Sequence, residues 1–234
     1  MGDDGETRRV PLAWTSGALA RTSVTCASEE SPRYLSAMIS PSHALAVGLA
    51  DAVEDYRSHA NAAQLRARLL ELIEGATPDA LIVAVEPFRE IPEVAGPLYE
   101  RIVEAQPDNA RALVILASAY WLGGRGPEVV GDLASRAIAA DPTNRGGWHL
   151  WALSESDPRQ RLARWRQVTA RFPGDHLALA NVADNAASLA GAEQDQDALD
   201  LAVATYEHLL ATTELPDQRV ALETALRALR GWRM

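Results

Sequence analysis

One segment constrains the fold more than any other: Ala95, Tyr99 and Pro107, followed by Leu113, Leu116, Ala117 and Tyr120. Ala95 and Tyr99 lie one helical turn apart and so share a face. Pro107 cannot continue a helix, because it lacks the N–H and its ring collides with the preceding turn. Beyond it, apolar residues at i, i+3, i+4 and i+7 open a second helix. The segment is therefore the joint between two short amphipathic helices, neither of which can bury its apolar stripe alone.

The same grammar recurs along the chain. Trp148, Trp151 and Ala152 open one later segment, with Glu155 in the aromatic place, and Leu179, Val182, Ala183 and Ala186 open another. Between them stand Val130/Ala134/Pro142, Arg161/Trp165/Pro173 and Ala202/Tyr206 with Pro216. The terminal prolines are 35, 31 and 43 residues apart, so the repeat is degenerate. The short interval carries Ser156-Asp157-Pro158, a cap-like helix start, and the long one carries a polar acidic stretch, residues 191–197, expected to be a loop. Upstream, Leu45, Leu49 and Val53 and then Leu65, Leu69, Leu72 and Ile73 form two further stripes. Gly75 and Pro78 punctuate them, a third helix is expected from Pro78 to about Phe88, and Pro92 opens a fourth.

This pattern resembles the tetratricopeptide repeat family, in which a 34-residue helix–turn–helix unit follows W-x2-L-G-x2-Y, A-x3-F and P. The resemblance is firm over residues 92–216 and weaker over 41–91. It implies an all-α, right-handed solenoid of about five antiparallel hairpins with a C-terminal capping helix, here Asp217 to Arg230. The expected organisation is a flexible arm at 1–33, weakly repeat-like hairpins at 34–91, and repeats plus cap at 92–234. Stability in such arrays comes from neighbouring units, and small Ala117, Ala152 and Ala183 let paired helices approach.

Composition removes several classes of function. The net charge of −10 is the wrong sign for a phosphate-binding face or an anionic membrane surface. No run of eighteen apolar residues is present, so no membrane-spanning helix is expected. All 22 basic residues are arginine. A GC-rich genome accounts for this, and avoidance of lysine modification is the sharper alternative. Cys26 is the sole cysteine, which rules out an intrachain disulfide and fits a reducing, cytoplasmic setting. Thr7-Arg8-Arg9-Val10-Pro11-Leu12 has a twin-arginine look, but Pro11, Thr15, Ser16 and Gly17 spoil the apolar region an export signal needs.

No catalytic motif stands out, and the five histidines have no metal-ligand spacing. No cofactor or metal is expected. Asp108, Asp141 and Asp157 adjoin prolines and are expected to cap helix starts. Trp148, Trp151 and Trp165 have the residue type of a cation cage, but their repeat positions assign them to the core.

The resemblance also implies which residues line the concave face. From the first helices these are Arg111, Val114, Ile115 and Ser118, then His149, Leu150 and Leu153, then Leu177, Ala180, Asn181 and Asp184, with Trp121 at the edge. The cap adds Glu223 and Arg227. Some family members grip a carboxylate with lysines and asparagines here. Asn181 matches one asparagine, but the lysines are missing and Asp184 has the opposing charge. The expected function is a non-enzymatic scaffold for a peptide or protein partner. The alternatives are a helical enzyme or accessory subunit with a small-molecule pocket, and a homodimer pairing through its inner or N-terminal surface.

Overall fold

Proline in the first turn, or a capping polar side chain just before it, marks where the helices of the chain begin. The computed structural model describes residues 41–232. The expected arm, Cys26 and the twin-arginine-like segment lie outside them. The described residues fall in one unit, Ile39–Met234, and form eleven helices with no strand among them.

In chain order these are α1 (Pro41–His59), α2 (Ala62–Ile73), α3 (Pro78–Val85), α4 (Pro92–Ala105), α5 (Ala110–Leu122) and α6 (Pro127–Ala140). They continue with α7 (Arg145–Leu153), α8 (Pro158–Arg171), α9 (His176–Glu193), α10 (Gln196–Thr212) and α11 (Pro216–Arg230). A 3-10 turn, Glu86–Phe88, prolongs α3 to the expected end. Consecutive helices pack together except α2 and α3, and α1 also meets α3, α2 meets α4 and α5 meets α7. Five hairpins and a final helix result, an all-α solenoid. The core runs along the stack: Tyr99, Leu113, Leu116, Ala117 and Val130 are buried in its first part, Trp165, Val168, Val182 and Ala186 in its second.

The helix starts correct one expectation. Asp157 does cap α8, accepting from the Gln160 N–H at 2.8 Å. Asp108 and Asp141 do not cap; Asn109 and Asn144 take those places, accepting from Ala112 and Gly147. Asp141 instead accepts from the Thr143 amide and hydroxyl inside the turn. The cap sits two residues after Pro107, Pro142 and Pro173, at Asn109, Asn144 and Asp175. There a short side-chain acceptor reaches the free amide of the first turn.

The stretch expected as an acidic loop is another correction. α9 runs 18 residues and α10 runs 17, leaving only Gln194 and Asp195 between them. Gln194 adopts a left-handed conformation, φ 54°, and Asp195 caps α10 through the Ala198 N–H. The long repeat interval is therefore extra helix. The short interval reflects α7, only 9 residues long. Alanine-rich sequence with no proline lets helices lengthen until a turn residue stops them.

One close approach gives a direct test. A Cβ on Gly146 of α7 would lie 2.9 Å from Val114 Cγ1 of α5. Valine in a helix is nearly confined to one rotamer, so it cannot swing aside. Gly146→Ala is expected to destabilise by about 1–2 kcal/mol despite alanine's better propensity. In denaturant melts Val114→Ala should then cost less in the Gly146→Ala background than in wild type. Additive costs would mean the two do not meet.

Candidate functional site

The first helices α5, α7 and α9 hold the residues that the repeat register assigns to one face. At its start stands Arg111, exposed, with Nη2 donating to Glu86 Oε1 at 2.6 Å. Val114 and Ile115 pack against the core and are half-buried. One turn on, the Ser118 hydroxyl donates to the Val114 carbonyl at 2.9 Å, within its own helix. Trp121 is 38% exposed.

On α7, His149 is half-buried. Its Nε2 lies 2.6 Å from Asp175 Oδ2, and its ring sits 5.7 Å from that of Trp165. Leu150 is buried in the core, and Leu153 packs on it half-buried. On α9, Leu177 is 53% exposed, and Asn181 Nδ2 donates to the Leu177 carbonyl at 2.9 Å. Asp184 accepts from the Tyr206 hydroxyl of α10. Burial, then the hydrogen bond and charge of Asp184, push the Tyr206 phenol above its usual range.

Two groups matter that the sequence did not single out. Asp175 is 4% exposed, and it ties the start of α9 to α7. Its Oδ1 accepts from the Ala178 N–H at 3.1 Å, its Oδ2 faces His149, and Arg145 Nε stands 3.8 Å away. Burial alone would raise its pKa, but the Ala178 N–H, His149 and Arg145 outweigh burial and hold it below the usual range. The available signal was its place two residues after Pro173, matching Asn109 and Asn144. Nothing local announces His149 as its partner, 26 residues away.

The second is Arg164. Its guanidinium lies 4.6 Å from the Trp151 ring centroid, donates to the Trp151 carbonyl and pairs with Glu155 at 2.6 Å. The chain's own cation thus covers this tryptophan face, and Glu155 does in the aromatic place what a salt bridge can. Trp148 meets Trp151 edge-on at 5.6 Å, and its Nε1–H donates to the Pro142 carbonyl. Elsewhere the Tyr120 hydroxyl donates to Glu100 at 2.7 Å, and burial with that bond pushes the phenol up to about 12.

Chemically, the face offers exposed apolar anchors, one arginine, and hydroxyl and amide groups engaged only with their own helix. Among the described residues no group of three His, Cys, Asp or Glu converges as metal ligands would. None of the described helices is long and apolar enough to cross a membrane.

No family model matches the chain, and none of the curated proteins does. Solved structures do. The chain resembles the MamA protein with a TM-score of 0.50 and 15% identity, over 73% of this chain and 96% of that one. It also resembles TTC0263, a thermophilic TPR protein of Thermus thermophilus, with a TM-score of 0.50 and 16% identity, over 78% and 99%. At such identities likeness speaks for fold alone. The chain has the tetratricopeptide-repeat-like fold.

Proposed function

We propose that the chain is a non-enzymatic interaction scaffold that binds a peptide or partner protein along α5, α7 and α9. One observation supports it above others. Ser118 and Asn181 project from first helices and hydrogen-bond only to carbonyls of their own helix. That leaves the hydroxyl oxygen and the amide oxygen able to accept from a guest backbone. Trp121 and Leu177 beside them supply exposed apolar anchors, and Arg111 supplies charge. Such a face suits an extended or helical segment with hydrophobic side chains. His149 is the least suitable of the assigned residues as a contact, because its ring already serves Asp175.

The test uses positions outside the buried core. A peptide selected from a random library against the full chain should lose about tenfold or more in affinity to the Trp121→Ala, Asn181→Ala double variant, read by calorimetry. The melting temperature should stay within a few degrees, since neither residue is buried. An unchanged affinity would place recognition elsewhere.

A further inference from the structure

α11 leaves one side open. It packs on α10 and buries Leu226 and Leu229. Between the two helices runs an open groove, with Leu210 and Leu226 on its floor and charged residues of α11 along its edge. By the alternation of the stack α11 is the first helix of a hairpin. Each earlier first helix is covered by the helix that follows it; among the described residues nothing covers this one.

The groove's charges divide into held and free. Arg230 is paired with Glu207 at 2.6 Å, and Arg219 donates to the Thr213 carbonyl at 3.2 Å. Glu223 and Arg227 stand one turn apart on the same edge, both exposed. Neither has a partner among the described residues. Val220, 63% exposed, lies beside them.

We propose that a second copy of this chain covers the groove, with the two α11 helices antiparallel about a two-fold axis level with residue 225. A two-fold interface must be complementary to itself, and this edge is. In that register Glu223 of each copy meets Arg227 of the other, so both free charges are satisfied twice. Registers centred on 223 or on 227 set like charges face to face. Val220 then meets the aliphatic stem of Arg230 in the second copy, which buries an otherwise exposed side chain. The antiparallel sense is that of a hairpin, the packing each earlier first helix has with the helix that follows it.

Sedimentation velocity of the full chain at physiological salt, from about 1 to about 100 µM, reads the association directly. The wild type should show a concentration-dependent monomer–dimer equilibrium. Arg227→Glu should raise the dimer dissociation constant about tenfold or more, since two attractive pairs become repulsive. Adding Glu223→Arg to it reverses both signs and should restore association to within about threefold of wild type. Circular dichroism melts check that these exposed substitutions leave the fold intact. A wild type that sediments as a monomer throughout overturns the proposal. So does a single variant that dimerises like wild type, or a double variant as weak as the single one. The peptide test changes only Trp121 and Asn181 and the dimer test only Glu223 and Arg227, so the two readings fail separately.

Discussion

Trp165→Ala is expected to unfold the second half of the stack first, at a cost of about 3–5 kcal/mol. The indole is 2% exposed and sits in one cluster with Ala152, Leu162, Val182 and Ala186, contributed by three helices. Truncation leaves a cavity that stiff helices cannot collapse into. Trp165→Phe gives the informative contrast. The indole Nε1–H is buried without an acceptor, and a buried unpaired donor carries a penalty of about 1–3 kcal/mol. Phenylalanine loses ring volume but removes that donor, so its cost should stay below about 2 kcal/mol. Urea melts of the two variants decide the matter. A phenylalanine variant as unstable as the alanine variant would mean the N–H is satisfied in solution.

Asp175→Ala should cost about 2–4 kcal/mol, well above an ordinary helix cap. Removing the carboxylate frees the Ala178 N–H at the start of α9 and leaves the half-buried His149 ring without its partner. The same group carries a pH signature. Its folded pKa lies below the ordinary 3.8. A depressed carboxyl pKa means the unfolded chain takes up its proton first as acid is added. The stability it contributes is therefore complete above about pH 4 and is lost as pH falls through the folded value. Asp175→Asn keeps a capping oxygen but cannot ionise. Its stability relative to wild type should be lowest near neutral pH and converge with wild type in acid. A constant difference across that range would mean the charge contributes nothing.

Much of the architecture is legible in sequence, and for a local reason. Helical period, proline and turn residues act over a few neighbours, so Pro78, Pro92 and Pro158 each open a helix where expected. The repeat places of the tryptophans face the next hairpin, which assigns them to the core. Trp165 is buried there, and Trp148 and Trp151 pack against it half-buried. The caps are half legible: Asp157 beside Pro158 caps α8 as expected, but after Pro107 and Pro142 the capping side chain is the one two places on and not the aspartate nearest the proline. Residues 191–197 fail as a loop because helix propensity outweighs their polarity. A polar surface helix and a polar loop share composition, and only the caps at Gln194 and Asp195 separate them.

The candidate face is less legible still. Register names its residues, yet their availability depends on partners that lie far along the chain. Asp184 is held by Tyr206 across 22 residues, and Arg111 by Glu86 across 25.

The sequence by itself determined the all-helical hairpin series, its register and the residues that meet at each joint. Those follow from backbone preferences that a few neighbouring side chains decide. Only the tertiary structure decided how the uneven intervals are absorbed and how Asp175 joins α7 to α9. It also decided which of the assigned polar groups stay free among the described residues, and that among them α11 presents an uncovered edge with Glu223 and Arg227 unpaired. Those depend on where one helix crosses another, because a side chain's partner is set by distance in space.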